Sequence, residues 1–328
     1  MKKTKHARLF VGPMSKEIVD VVVDYTDSRN RTMGLIPSRR QIENTGGYVN
    51  NWTTDNFVNY VQEKTENVIL VRDHGGPLQG ENEDNGVDSL FSDTKSGMEI
   101  LHIDPWKASS NLDEGIAKTL ELIEKCATIR NDVLFEIGTE AAIFPYDPQE
   151  LHKMLTVIKK ALGPDFNKIS HCVVQSGVKI SGLSNVGNFN PSRLQEMVKI
   201  VHDFGLLTKE HNGDYLSQKD IKKRVNLGLD SINIAPEFGV MQTRLMMEIF
   251  SDKQMKDAYE TCIEKGKYKK WIPEHLAASP PKDLVISVAG HYSFTSEPFK
   301  SSIEKIKEGL KRQAYERFDS IIGCWDEK

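Results

Sequence analysis

The feature that most constrains the fold is an alternation of short apolar segments with longer segments of helical periodicity. In Val68–Pro77, four apolar residues lead into Arg72-Asp73-His74 and a Gly-Gly-Pro break. A short apolar run bounded by Gly and Pro is typical of a buried parallel strand. Seven further strands are predicted at Arg8–Gly12, Thr32–Pro37, Met98–Asp104, Asp132–Glu140, Ile169–Val174, Leu206–Lys209 and Ser231–Ala235.

Helical segments separate these strands. Periodicity and capping residues predict helices at Ser15–Tyr25, Thr53–Lys64, Asn111–Ile129, Asp147–Leu162, Pro191–Phe204, Gln218–Asn226 and Met241–Phe250. The exception is Gly80–Gly97, which is acidic and rich in Asn, Asp, Ser and Gly. We interpret it as a mobile loop with one helical turn at Val87–Phe91, either a lid or disordered surface.

Eight strands that alternate with helices favour an α/β fold of the (β/α)8 TIM-barrel class. The same alternation could form an open doubly wound sheet, but the chain has no G-x-G-x-x-G or G-K-[ST] phosphate loop. The chain is mostly helical from Ser251 onward, with helices expected at Asp252–Lys265 and Glu297–Arg317. We therefore predict a barrel over residues 1–250 and a helical C-terminal appendage over 251–328, packed on the barrel.

Composition excludes several classes of function. The net charge is only -4, which argues against a protein that binds nucleic acid or a membrane surface. No apolar run has the length of a membrane span, and no long apolar segment follows the basic N-terminus as in a signal peptide. The four cysteines are far apart and form no C-x-x-C pair. We expect a cytoplasmic protein with reduced thiols.

Polar residues follow most of the predicted strands, where a barrel carries its active site. They are Arg39, Arg40, Gln41, Asp73, His74, His102, Asp104, Glu140, Gln175, His211 and Asp214. Each one alone is more often structural than catalytic. Several charges that converge in one barrel mouth require a metal, a ligand or close pairing. Three histidines with carboxylates suit a zinc or manganese site.

Two adjacent pairs have specific alternatives. Asp73 beside His74 could be a proton-transfer carboxylate next to a metal ligand, or an ordinary strand-end cap. Arg39 and Arg40 could bind phosphate or carboxylate through their guanidinium groups. Strand alternation predicts that only one of the two arginines faces the ligand and that the other pairs within the barrel wall.

Several of these residues stand in motifs that resemble one family. The motifs are Gln41 with Gly46-Gly47-Tyr48, Asp73-His74 with Gly76-Pro77, His102-x-Asp104, Gly138-Thr139-Glu140, Val174-Gln175-x-Gly177-Val178, and His211 with Asp214-Tyr215. Together they resemble the non-catalytic subunit of class II D-tagatose-bisphosphate aldolase and its relatives that act as ketose-phosphate 4-epimerases. The resemblance extends from Arg8 to Phe250 and is weaker around Gly290–Ile306.

The resemblance implies roles for individual residues. His74 and His211 would be metal ligands with Glu140 as the third, for which Asp104 is the alternative. Asp73 would be the general acid or base, with Asp104 and Asp214 as further catalytic candidates. The candidate substrate-binding residues are Gln41, His102, Gln175, Ser176 and Tyr215, together with Arg39 and Arg40, whose role is suggested by their guanidinium groups and not by the family. The chain departs from the family at Arg39-Arg40, at Gly80–Gly97 and at Gly290-His291-Tyr292, which puts the tagatose substrate itself in question.

The resemblance also implies a reaction. We expect a divalent metal, zinc or manganese, and an anionic ketose derivative, most simply a sugar phosphate, as substrate. Retro-aldol cleavage to an enediolate would give an aldolase if the aldehyde leaves, or a C4 epimerase if it re-adds on its other face. The alternatives are a non-catalytic stabilising subunit and a sugar-binding module without chemistry. The expected partners are a homo-oligomer or a second aldolase subunit, with no nucleic acid and no membrane.

Overall fold

Eight parallel strands close into a barrel in this computed structural model, which describes residues 6–326. The strands of the chain are β1 Leu9–Val11, β2 Met33–Leu35, β3 Val68–Gly75, β4 Ile100–Ile103, β5 Leu134–Ile137, β6 Ile169–Val173, β7 Val178–Ser181, β8 Ser184–Gly187, β9 Leu207–Glu210 and β10 Ser231–Ile234. The barrel order is β1 to β6, then β9 and β10. Parallel pairing of Leu9 with Ile232 closes the barrel, which confirms the (β/α)8 prediction and excludes the open sheet.

The strands β7 and β8 were not expected from the sequence. They form a separate antiparallel hairpin between β6 and the following helix, with Ser181 paired to Ser184 across the turn. The hairpin is polar and partly exposed, so it lacks the apolar pattern by which the barrel strands were recognised.

Helices surround the barrel, and all but the third were expected from the sequence. They are α1 Lys16–Arg29, α2 Thr54–Gln62, α3 Val87–Ser96, α4 Leu112–Ala127, α5 Pro148–Leu162, α6 Pro191–Asp203, α7 Gln218–Asn226 and α8 Pro236–Ile249. Short 3-10 segments occur at Trp106–Ala108, Gly163–Lys168, Lys267–Lys270, Glu274–Leu276, Gly290–Ser293 and Lys300–Ser302. Capping residues fix several helix starts: the side chain of Asn111 accepts from the Glu114 N–H, and Asp147 and Glu150 form a capping box.

The interpretation of Gly80–Gly97 as a mobile loop with one turn is wrong. This segment contains α3, a regular barrel helix of 10 residues. Its buried side chains are Ser89, Leu90, Asp93 and Thr94, so the buried face is mostly polar. Asp93 accepts from the fully buried Arg72 of β3 at 2.6 and 2.7 Å. An ion pair, not an apolar stripe, attaches the helix to the barrel, and hydrophobic periodicity therefore did not reveal it.

The C-terminal residues form α9 Asp252–Lys265, α10 Lys282–Ala289 and α11 Ile303–Asp326. The last helix starts later and ends later than Glu297–Arg317. It packs on α1, α7 and α8, where the Phe318 ring lies 5.1 Å from Tyr25 and 5.2 Å from Phe238. The division of the chain at residue 250 stays a prediction. Among the described residues, none of the helices combines the length and hydrophobicity that a membrane crossing requires.

Candidate metal centre

Three histidine rings meet at the C-terminal end of the barrel. His74 lies in β3, His102 lies in β4, and His211 directly follows β9. The ring centroids are 5.2 Å apart for His74 and His102, 5.0 Å for His102 and His211, and 5.4 Å for His74 and His211. His102 and His211 are buried, and His74 is partly exposed toward the mouth. The expected convergence of strand-end histidines is therefore present.

One carboxylate oxygen faces all three rings. Asp73 Oδ1 lies 3.7 Å from His74 Nε2, 3.7 Å from His102 Nδ1 and 3.8 Å from His211 Nδ1. This oxygen is buried and has no hydrogen-bond partner within residues 6–326. A buried carboxylate oxygen without a donor is costly, and a cation held between it and the imidazoles would remove that cost.

Asp73 and His74 reach the same centre although adjacent strand residues normally point to opposite faces. The pairing of β3 with β4 is irregular between Arg72 and Gly75. His74 itself has a φ of 46°, a left-handed conformation that is uncommon for a residue with a side chain. The sequence suggested that Gly75-Gly76 would supply this break, but the histidine supplies it. Backbone strain of this kind concentrates at functional sites.

The ring nitrogens that point away from the centre are each bound by a separate group. The three contacts are His74 Nδ1 to Asp104 Oδ2 at 2.5 Å, His102 Nε2 to the Gly138 carbonyl at 2.9 Å, and His211 Nε2 to Glu136 Oε1 at 2.9 Å. Imidazoles that bind metals characteristically use one nitrogen in this way, which fixes the ring and presents the other nitrogen to the ion. His102 Nδ1 also accepts from the His74 backbone N–H at 3.2 Å, a contact that a metal would replace.

The donors fit a divalent transition metal. Two overlapping groups have ligand atoms within 4.8 Å of one another, Asp73 with His74 and His102, and His102 with Glu136 and His211. Imidazole nitrogens with a carboxylate oxygen are ligands typical of zinc and also suit manganese. His102, which the sequence assigned to substrate binding, therefore joins His74 and His211 as a candidate ligand.

Glu140 lies at the rim of this centre. Its Oε1 is 3.8 Å from His74 Nε2, and Asn212 Nδ2 donates to its Oε2. The carboxylate is partly exposed and belongs to neither compact group of ligand atoms among the described residues. Glu140 is therefore positioned to approach an ion from the open side, and its role as third ligand stays a prediction.

Charges dominate the electrostatics of the centre. Burial alone would raise the pKa of Asp73, but His74, His102 and His211 outweigh burial and lower it. Burial likewise opposes protonation of His74, yet Asp73, Asp104 and Glu140 raise the pKa of His74 to about 10. Without a metal, the cluster thus holds an ionised carboxylate beside protonated imidazole. A divalent cation would take the place of that proton.

A buried ion pair supports His211 from below, and the sequence interpretation missed it. Lys209 Nζ donates to Glu136 Oε2, and both side chains are fully buried. Burial raises the pKa of Glu136, but Lys209 and His211 outweigh it and hold the pKa well below its usual range. Lys209 Nζ also lies 3.6 Å from the centroid of the Phe10 ring. Charged residues inside the barrel strands, Glu136 in β5 and Lys209 in β9, were the available signal, because such charges need a partner.

Two predicted catalytic carboxylates have structural contacts. Asp104 is fully buried behind His74 and accepts from Thr139 Oγ1 at 3.1 Å, so it orients the ring and does not face the mouth. Asp214 Oδ1 accepts from the N–H groups of Ala235 and Glu237 at 3.0 and 2.8 Å, at the start of α8. Burial, with Glu237, raises the pKa of Asp214 to about 8.

Most predicted substrate-binding polar groups are also engaged within the fold. Gln41 Oε1 accepts from the Ser38 N–H at 2.7 Å, and Gln175 Nε2 donates to the Thr139 and Phe144 carbonyls. Ser176 donates to Glu210. The Tyr215 N–H donates to Glu237, while its hydroxyl is buried without a partner among the described residues. These contacts favour structural roles over direct substrate binding.

The paired arginines have different environments, although they lie in a turn after β2 and not in a strand. Arg39 is 4% exposed and is bound by Glu43 and Asp84, with a further bond from Nη1 to the Gly76 carbonyl at 2.9 Å. These contacts favour a structural place in the barrel wall, and its assignment as a substrate ligand stays a prediction. Arg40 is 42% exposed at its side chain and lines a cavity of about 800 Å³ at the rim of the barrel.

Comparisons with known proteins identify the fold. No family model matches the chain, and no curated protein matches its sequence. A crystal structure described as a probable tagatose 6 phosphate kinase from Sinorhizobium meliloti 1021 superposes with a TM-score of 0.72 at 13% identity and covers 98% of this chain and 99% of that one. The YdjI aldolase of Escherichia coli K12 gives 0.51 at 17% identity, with 92% and 90% of the two chains covered.

A fructose-bisphosphate aldolase from Campylobacter jejuni gives a TM-score of 0.59 at 16% identity, and the match covers 97% of this chain and 90% of the aldolase. At such identities the likeness establishes the fold alone. The chain is a (β/α)8 barrel, and its chemistry has to be argued from its own residues.

Proposed function

We propose that this protein is a divalent-metal-dependent enzyme that acts on an anionic ketose, most simply a sugar phosphate, by retro-aldol chemistry. The observation that carries the proposal is Asp73 Oδ1, buried without a partner and 3.7 to 3.8 Å from three imidazole nitrogens. The aldolase-type barrel supports the reaction class. It also supports a sugar phosphate as the substrate class.

His74, His102 and His211 would hold the metal, and Glu140 would approach it from the rim. When bound, such an ion acts as a Lewis acid on a ketose carbonyl and its neighbouring hydroxyl. Asp104 and Glu136 keep two of the imidazoles oriented. Zinc and manganese both suit this combination of ligands.

Asp73 would move the proton. Its carboxylate is partly exposed and adjoins the imidazoles of the centre, so it can accept the proton of the substrate hydroxyl as the carbon–carbon bond breaks. The products of the cleavage are an aldehyde and an enediolate. Release of the aldehyde makes the enzyme an aldolase, and re-addition to its other face makes it a C4 epimerase.

A non-catalytic stabilising subunit is the second candidate function. Such a chain would need the barrel but would not need an unpartnered carboxylate among three oriented histidines. A sugar-binding module without chemistry would likewise not need Asp73. The cluster therefore favours the enzyme over both alternatives.

Metal content of the purified protein tests the proposal. We expect a stoichiometric divalent ion in the wild-type protein, most of it lost in His74→Ala and in His102→Ala, and retained in His152→Ala. His152 is an exposed histidine of α5 and serves as the control. Folding of each variant is checked by circular dichroism. Full occupancy in His74→Ala would end the assignment.

Activity is then measured on ketose phosphates and uronates with zinc or manganese. We expect turnover that a chelator abolishes and that the same metal restores. A metal-free wild-type protein that is inactive across this panel would instead favour the stabilising subunit.

A further inference from the structure

A second polar site lies beside the metal centre. The cavity of about 800 Å³ is bounded by the loop after β2, the start of α3 and the segment that follows α9. Arg39 connects the two sites, because it lines the cavity and binds the carbonyl of Gly76, two residues after His74. Lys107 interacts electrostatically with Arg40 on the cavity side and with Asp104, Glu140 and Asp73 on the other. Arg39 and Lys107 thus connect the wall of the cavity with the residues around the metal centre.

Some of the cationic side chains around the cavity are paired with carboxylates, and others are not. Arg39 is already bound by Glu43 and Asp84, and Lys267 pairs with Glu81. Arg40 makes a long ion pair of 4.0 Å between its Nε and Glu81 Oε2, and the same Nε donates to the Gly80 carbonyl at 3.2 Å. Arg40 and the nearby Lys270 therefore remain available for a ligand.

Lys270 has aromatic neighbours and no carboxylate at ion-pair distance within the described part of the chain. Its Nζ lies 4.6 Å from the centroid of the Trp271 ring and 5.5 Å from that of Tyr292. Burial, with the charges of Arg40, Lys267 and Lys107, lowers the pKa of Lys270 to about 8. An anion between these cations would relieve their mutual repulsion.

A hydrogen-bond donor faces the same space. Ser89, in the first turn of α3, lines the cavity and is only 2% exposed, and its hydroxyl has no hydrogen-bond partner in the described part of the chain. The N-cap of α3 is Gly86, which has no side chain to accept from the N–H groups of that turn, although the Val87 N–H donates to Asn85 Oδ1 at 3.0 Å. A helix start with free N–H groups favours an anion. The Ser89 hydroxyl and the start of α3 are thus two further groups that favour an anion beside the two cations.

We propose that this cavity binds the phosphate group of the substrate, with Arg40 and Lys270 as its cationic partners and Ser89 as a hydrogen-bond donor. The inference rests on the proposed function, which assigns the carbonyl end of the same ketose to the histidine cluster. A guanidinium and an ammonium together match the two charges and several oxygens of a phosphate. Because Lys270 follows α9, the C-terminal helical part of the chain completes the substrate site.

Binding of inorganic phosphate to the full-length, metal-loaded protein tests the site directly. Isothermal titration calorimetry compares the wild-type protein with Arg40→Gln, Lys270→Gln and the control Lys256→Gln. Lys256 is an exposed lysine of α9 that pairs only with Glu260. We expect phosphate affinity to fall at least about tenfold in Arg40→Gln and Lys270→Gln and to stay unchanged in the control. Wild-type affinity in both cavity variants would overturn the inference.

Steady-state kinetics separates a substrate subsite from a regulatory one. We expect inorganic phosphate to compete with a phosphorylated ketose, and Lys270→Gln to raise KM for that substrate more than it lowers kcat. Inhibition that lowers kcat without changing KM would indicate a regulatory anion site and overturn the assignment to the substrate.

The two proposals fail in different ways. An active, metal-loaded enzyme that does not bind phosphate would keep the proposed function and refute this subsite. A protein without metal or turnover that still binds phosphate through Arg40 and Lys270 would refute the proposed function while the anion site itself remained.

Discussion

Glu136 bridges Lys209 and His211 in a fully buried position, so the placement of His211 depends on it. Such a pair adds little net stability compared with apolar residues, but removal of one partner leaves a buried charge without compensation. Glu136→Gln should therefore lower the free energy of unfolding by about 3–5 kcal/mol. Urea unfolding measures this change.

A second substitution tests the cause of that loss. The double variant Glu136→Gln/Lys209→Met should recover part of the stability, since it removes the unpaired ammonium. Glu121→Gln breaks an exposed pair with Lys125 and should change stability by only about 0–1 kcal/mol. If the stability losses of the two single variants simply add in the double variant, Glu136 and Lys209 do not act as an ion pair.

Asp73 allows a test of proton transfer apart from metal binding. Asp73→Asn keeps the shape of the side chain but removes the base, so we expect activity to fall by about 10²–10⁴-fold with metal and fold retained. Metal analysis and steady-state kinetics measure the two effects on the same preparation. Asp113→Asn, which alters only an exposed pair with Lys153, is the control.

Two results would contradict this role of Asp73. Loss of the metal together with activity would make Asp73 a required ligand, which its position opposite three imidazole nitrogens also allows. Near-normal turnover would make it a structural cap.

Among the elements, α3 shows what hydrophobic periodicity can and cannot predict. The barrel strands and most helices were recognised because apolar residues recur with periods that suit strands and helices. The buried face of α3 instead carries Asp93, which is fully buried against Arg72. Arg72 also donates to the carbonyls of Pro37 and Ile42, and so connects β3, α3 and the loop after β2.

The residues of the metal centre could likewise be predicted only in part. Asp73, His74 and His211 stand at strand ends, where a barrel pattern locates them. Glu136 lies inside β5, so only the spatial proximity of Lys209 and His211 gives it a role. The left-handed backbone of His74, which lets two adjacent side chains face one centre, has no signature in the residue type.

The attachment of α3 can be tested through Asp93. Asp93→Asn leaves the Arg72 charge buried without its partner and should cost about 3–5 kcal/mol of stability. Because Arg72 lies one residue before Asp73, we also expect faster amide hydrogen exchange in α3 and in the last residues of β3. Asp88→Asn, on the exposed face of α3, should leave both properties unchanged. Unchanged exchange in Asp93→Asn would show that the ion pair does not hold the helix.

At the scale of the whole molecule, the C-terminal helices and the barrel share one hydrophobic core. Leu310, Ala314, Phe318 and Ile322 of α11 are buried in the same cluster that contains barrel residues such as Leu9. The Trp325 indole N–H donates to the Leu229 carbonyl at 2.9 Å, just before β10. Such continuity favours cooperative unfolding of both parts over the behaviour of two independent domains.

Phe318→Ala tests this cooperativity, because the ring joins α11 to Tyr25 of α1 and Phe238 of α8. Removal of a buried phenylalanine side chain should lower stability by about 3–5 kcal/mol. If the chain unfolds as one unit, a single calorimetric transition should shift to lower temperature, and bound metal should be lost at the same midpoint. Glu316→Ala, on the exposed face of the same helix, should change stability by no more than about 0.5 kcal/mol. Two separate transitions in Phe318→Ala, with metal retained through the first, would instead establish the helical segment after residue 250 as an independent unit.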